Sequence, residues 1–135
     1  MFTSLIAPIF AMFLLTFLFS VYMLIVRIRE VNKGRISLKY FKTYQEGASE
    51  AIIKTSRHYN NLFELPVLFY ATCLLALHLE MQTFLIIFFA WFFVIARLVH
   101  MIIHVGKNPL LPRMLSFLVG WLVLIGMWVE MLFFI

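Results

Sequence analysis

The sequence predicts an all-α integral membrane fold: four transmembrane helices packed as a single bundle over residues 1–135. Three observations lead there. Of the 135 residues, 64% are hydrophobic and only 13% charged, against about 45–50% and about 25% in an ordinary soluble domain. The apolar residues fall into four runs, at 5–26, 62–79, 84–104 and 114–135, each close to the roughly 20 residues a helix needs to cross about 30 Å of hydrocarbon. The charge is concentrated between the first two runs. In lipid every backbone polar group must be bonded within the chain, which favours helices. Membrane strands would instead alternate in polarity over about 10 residues.

The runs predict helices at 5–27, 57–79, 84–105 and 113–135, with a loop at 28–56. The first run carries no charge, and the preceding Met-Phe-Thr-Ser has no Lys or Arg. It is longer than the roughly 7–15 apolar residues of a signal peptide, so a retained span is expected. The second run opens on Arg57-His58-Tyr59-Asn60-Asn61-Leu62-Phe63-Glu64-Leu65-Pro66 and holds the single cysteine, Cys73. A lone cysteine forms no internal disulfide, and this one reads as a small packing residue. The third run contains Arg97, His100 and His104, and its Phe88–Phe93 stretch reads as lipid-facing and helix-packing bulk. In the fourth, Ser116 and Gly120 form a small-xxx-small pair that lets a neighbouring helix come close.

Between Arg27 and Arg57 lie eight basic residues and three acids, Glu30, Glu46 and Glu50, a net +5 that equals the charge of the whole chain. The second connection has no basic residue, and the third has Lys107 and Arg113. By the positive-inside rule the first and third connections are cytoplasmic and both termini outside. The basic loop reads as a topology signal that meets anionic lipid, and no nucleic-acid partner is expected. Lys33-Gly34 is an expected turn, and residues 48–57 an expected extension of the second helix.

An ionisable residue on a lipid-facing helix costs about 2.5–3.5 kcal/mol at the bilayer centre, so such residues face protein or water and take partners. On continuous helices Arg57, Asn61 and Glu64 share one face, as do Arg97, His100 and His104. Glu64 lies roughly 7 Å and Arg97 roughly 10 Å below the same membrane face, at 1.5 Å per residue. Matching depth predicts a Glu64–Arg97 ion pair. Arg27 and Arg113 stand at that same level, whereas His78 and Glu130 mark the opposite face. His100 and His104 lack the HExxH pattern, because Met101 follows His100, and no metal site is expected.

Taken together these motifs resemble the family of membrane-associated proteins in eicosanoid and glutathione metabolism (MAPEG), in its bacterial form. That family has an Arg closing the first helix, here Arg27. It has R-x-x-x-N-x-x-E opening the second, here Arg57, Asn61 and Glu64, with Pro66 soon after. R-x-x-H on the third corresponds to Arg97 and His100, and an Arg opening the fourth to Arg113. The resemblance spans all four runs. It implies a homotrimer in a bacterial inner membrane, with glutathione as co-substrate bound between subunits at the cytoplasmic face and a lipophilic electrophile arriving from the bilayer. It implies that Arg113 activates the thiol, and that Arg27, Arg57, Asn61, Glu64, Arg97 and His100 bind or orient the tripeptide. Where several active members carry a Tyr four residues after the His, this chain has His104, whose imidazole can also hydrogen-bond the tripeptide. Met114 after the Arg supplies no hydroxyl. The residues themselves also admit a non-catalytic bundle whose polar cluster serves assembly or binds a lipid headgroup or other anion. A proton-coupled exporter would want an acid in mid-membrane, and the first run has none.

Overall fold

The computed structural model describes residues 4–44 and 47–134, apart from the Thr43 side chain. Residues 1–3, Gln45, Glu46 and Ile135, assigned above to the amino-terminal segment, the basic loop and the fourth helix, lie outside the described residues. The elements are α1 (Ile6–Asn32), α2 (Tyr40–Thr43), α3 (Glu50–Asn61), α4 (Leu65–His78), α5 (Phe84–Val105) and α6 (Leu110–Phe134). Among the described residues, four helical segments are long and apolar enough to cross a membrane: α1, α3 with α4, α5 and α6.

Local chemistry sets the ends. α1 runs past residue 27, because no Gly or Pro interrupts residues 28–33 and Arg29 and Glu30 are good helix formers, and stops at a Schellman turn. There the Gly34 N–H donates to the Val31 carbonyl at 2.9 Å and the Arg35 N–H to that of Glu30 at 3.1 Å. Gly34 takes φ +65°, which a residue without Cβ adopts at no steric cost. Ser49 caps α3, its hydroxyl accepting from the Ile52 N–H, and Thr83 caps α5 by accepting from that of Ile86. Pro112 lies in the first turn of α6, where no intrahelical donor is lost.

α5 and α6 pack along most of their length, α1 lies against α3 and α5, and α4 against α6. Met12 and Phe19 of α1, Phe69 and Cys73 of α4, Ala90 and Phe93 of α5, and Leu124 and Met127 of α6 fill the interior. The Phe69 and Phe93 rings stack near its middle, 4.5 Å apart and almost parallel. The Phe88–Phe93 stretch divides by helical phase: Ala90 and Phe93 are buried, while Phe88 and Phe92 face outward. The outside is apolar as well, with Phe10, Phe13, Leu122 and Leu132 exposed. Helices that are apolar all round belong in lipid or in a large core, and this small bundle leaves only the first. The described residues of the connection after α1 (33–44 and 47–49) and the 106–109 connection share one end of the bundle, the basic end; the 79–83 connection lies at the far end.

Candidate functional site

Pro66 organises the site. It has no N–H, and inside a continuous helix its ring would clash with the carbonyl four residues back, while disfavouring helical geometry at Leu65. The second membrane segment therefore breaks between Asn61 and Leu65. The Phe63 and Glu64 N–H groups turn back to the Asn60 and Asn61 carbonyls, three residues behind rather than four. Helix resumes at Leu65, with Pro66 in its first turn. The predicted helix at 57–79 is thus two helices, α3 starting at Glu50 and α4 at Leu65. Glu64 does not lie on the face of a continuous helix with Arg57 and Asn61.

The break turns the Glu64 carboxylate outward, where it is exposed, and Asn61 donates to it from Nδ2 at 3.0 Å. Asn61 Oδ1 in turn accepts from Arg97 Nη1 at 3.3 Å. Only one orientation of the amide serves a cation on one side and an anion on the other. Arg97 is 1% exposed. Its guanidinium lies between the Phe93 and Phe117 rings, 5.9 and 5.6 Å from their centroids. Gly120 stands beside it and makes room for Leu65: a Cβ there would lie 3.0 Å from the Leu65 side chain, and in ordinary contact, at 3.8 Å, with the guanidinium carbon. The direct Glu64–Arg97 ion pair expected from depth is therefore corrected. The described residues contain no such contact within 4 Å, and Asn61 carries the link. Arg97 Nε and Nη2 remain buried without a partner.

A second string lies beside the first. His100 Nδ1 is 2.9 Å from Ser116 Oγ, and the Ser116 hydroxyl donates to the Arg113 carbonyl at 2.9 Å. That carbonyl only accepts, so the single hydroxyl hydrogen is spent there and Ser116 must accept from His100 Nδ1–H. A neutral His100 then presents its lone pair on Nε2, which is buried without a partner. Arg113, half-buried at the start of α6, donates from Nη1 to Asn108 Oδ1 at 2.9 Å. Asn108 sits in the left-handed region, φ +54°, in the tight Lys107-Asn108-Pro109 connection.

Three buried imidazoles join α3 to α5. The rings of His58, His100 and His104 lie 5.3 to 5.7 Å apart. His58 is 1% exposed, neither ring nitrogen has a hydrogen-bond partner, and its edge meets Phe19 at 4.5 Å. Among the described residues no three His, Cys, Asp or Glu side chains are arranged to hold a metal ion.

Of the residues singled out in the sequence, Asn61, Glu64 and Arg97 form one hydrogen-bonded string, and His100 and Arg113 are joined through Ser116. His104 lies beside the His100 ring and the His58 ring. Arg57 is exposed, facing away from the interior. Arg27 joins none of them: its guanidinium stands 5.3 Å from the Phe41 ring and 5.9 Å from that of Tyr44. Sequence reasoning passed over His58, Asn108 and the polar role of Ser116. The Asn-Pro dipeptide marks a turn. The buried residues Ile52, Thr55, His58 and Leu62 follow a helical period that places His58 inward.

The MAPEG family model matches residues 5–133. No curated protein and no solved structure matches the chain.

Proposed function

The chain belongs to the MAPEG family, and from that membership we propose a membrane-embedded glutathione transferase or peroxidase acting on lipophilic electrophiles. The reading places glutathione between the subunits of a homotrimer, at the end of the bundle that carries the basic loop, on the cytoplasmic side of a bacterial inner membrane. The observation that supports it best is the Arg97–Asn61–Glu64 string. It runs from a buried guanidinium with two unpartnered nitrogens to an exposed carboxylate. Such a string offers donors and an acceptor to a zwitterionic tripeptide.

The chemistry follows from charge. A free thiol ionises near pH 8.5, and the thiolate is the nucleophile; a guanidinium nearby favours it. Arg113 serves as that guanidinium, held by Asn108. Arg57 and Arg97 suit the carboxylates of the tripeptide, since arginine can donate two parallel hydrogen bonds to each. Glu64 suits its ammonium group, Asn61 orients both charges, and His100 and His104 offer imidazole nitrogens. The thiolate sulfur then forms a bond to the electrophilic carbon. With a chloronitroaromatic, chloride departs with the electrons of the broken carbon–chlorine bond, and the thiol proton is released to water.

Conjugation of that chloronitroaromatic and ultraviolet thiolate absorbance, measured on detergent-purified protein, test the reading. Saturable glutathione-dependent turnover with a raised thiolate signal is expected. A parent protein that neither binds glutathione nor raises thiolate overturns it. The competing reading, a non-catalytic bundle that uses the cluster for assembly, is favoured by the near-complete burial of Arg97, and that same outcome would select it.

A further inference from the structure

The three buried imidazoles hold more acceptors than donors. His58 lies on α3, His100 and His104 one turn apart on α5, and the rings stand 5.3 to 5.7 Å from one another. At these spacings a rotation about χ2 brings a nitrogen of one ring within hydrogen-bond reach of the next. Three neutral rings carry three N–H groups and three lone pairs. The His100 N–H is spent on Ser116, outside the cluster. Two N–H groups therefore remain for three lone pairs, and the cluster is one hydrogen short. His58 Nδ1 and Nε2, His100 Nε2 and His104 Nδ1 are buried without a partner. His104 keeps the most exposure, 8% against 2% for His100 and 1% for His58.

We infer that this cluster is the acceptor of the glutathione thiol proton, which enters at His104 and is held there by His58 and His100. The role rests on the glutathione site proposed above and adds the destination of the proton. The S–H bond breaks, its electron pair stays on sulfur as the thiolate beside Arg113, and the proton joins a lone pair of His104. One N–H of the resulting imidazolium faces the thiolate. The two N–H groups left inside then match the two lone pairs left inside, on His58 and His100. Charge favours transfer only in the company of an anion. The charged groups that act on the rings are Arg97 of α5, Arg113 of α6, and Lys54 and Arg57 of α3, all cations. Phe19 of α1 and Phe117 of α6 contribute uncharged rings to the walls. A proton that moves from sulfur to His104 leaves the net charge of the site unchanged, and it passes to water as the conjugate departs. His104 is then a catalytic residue, and His58 and His100 are positioning residues.

The number of protons released per thiolate formed tests it. A pH-indicator dye in weakly buffered detergent solution reads the protons, and ultraviolet absorbance reads the thiolate. At about pH 7 a free thiol is almost wholly protonated, so without an internal acceptor each thiolate releases about one proton to solvent. The parent should release less than about half of that. His104→Phe, which removes the entry point, should raise the ratio at least about twofold, to about one. Ser116→Ala should do the same, because it frees the His100 N–H to turn inward and gives the cluster three N–H groups for three lone pairs. A merely structural role would not move this ratio, which is counted per thiolate. A parent that releases about one proton per thiolate overturns the inference and leaves the glutathione site standing. A low ratio that persists in either variant also overturns it, and Ser116→Ala decides even if His104→Phe fails to fold. A parent that forms no thiolate overturns the glutathione reading, and this inference with it.

Discussion

The two ends of the bundle treat polar side chains in opposite ways. At the far end Ser4 donates to Gln82 Oε1 at 3.2 Å, and the Leu5 N–H donates to the same oxygen at 3.3 Å. Thr83 donates to Glu130 Oε1 at 3.1 Å while capping α5, and deeper in the bundle Trp128 Nε1 donates to Thr72 at 3.1 Å. These bonds tie α1 to the 79–83 connection, α5 to α6, and α4 to α6. Glu130, read from the sequence as interfacial, is a tether. At the basic end the arrangement is incomplete. Among the described residues, every buried side-chain nitrogen or oxygen without a partner belongs to Arg27, Glu30, Ser56, His58, Arg97, His100 or His104. Each such group costs about 1–3 kcal/mol when left unmade. Polar groups that only hold helices together have partners inside the chain. Groups kept without them, at one end of the bundle, are what a ligand site would contain.

The sharpest way to break this contrast is at Arg113. If the basic end is a glutathione site, Arg113→Ala should lower kcat about 10²–10³-fold, the usual loss when one preorganised charge-stabilising donor is removed. The melting temperature in detergent should move little, because the half-buried side chain bonds only Asn108. Turnover equal to the parent's would remove Arg113 from the chemistry.

A second test concerns how Glu64 and Arg97 communicate. With Asn61 between them, Asn61→Ala should destabilise the protein by about 1–3 kcal/mol, because it strips the last side-chain partner from a buried guanidinium. Glu64→Gln should then cost measurably less in the Asn61→Ala background than in the parent, a coupling of at least about 0.5 kcal/mol. Unfolding in detergent mixtures reads both values. Strictly additive losses would mean that the string is not an energetic unit.

The far end supplies the matched control. Thr83→Ala removes the α5 cap and the bond to Glu130 together, a loss of about 1–2 kcal/mol. Turnover per folded molecule should stay at the parent's level. A fall in turnover larger than the loss of folded protein would blur the division between the ends.

What could be read in the sequence divides along physical lines. The four spans were legible because crossing lipid requires length and apolarity, both of which are additive along a chain. The gathering of Asn61, Glu64, Arg97 and His100 at one level was legible because a helix rises uniformly per residue. Their connectivity was not, because the helical phase was carried through Pro66, where the backbone breaks and turns Glu64 outward. Arg27 was placed at the level of the cluster by its depth, and with its residues by the family resemblance. Depth does not say which way a side chain points, and Phe41 and Tyr44, at the short helix α2 in a connection not resolved into elements from the sequence, stand beside it. His58 was hidden by its neighbours: beside the eye-catching Arg57 and Asn61, a residue of intermediate polarity gives little sign of facing inward.

His58 provides the smallest expected effect and the most direct test of the contrast. Two unpartnered ring nitrogens at 1% exposure should cost about 1–3 kcal/mol relative to an apolar side chain of similar size. Against that stands the edge contact with Phe19, worth about 0.5–1.5 kcal/mol. Leucine gives up the contact and the penalty together. His58→Leu should therefore leave stability within about 1 kcal/mol of the parent, displaced toward greater stability, whereas the polar substitutions at the far end all lose. His58→Ala should be less stable than His58→Leu, since it adds a cavity. If His58→Leu instead loses about 2 kcal/mol or more, the imidazole has a partner in the folded protein, and His58 leaves the set of unsatisfied groups on which the contrast rests.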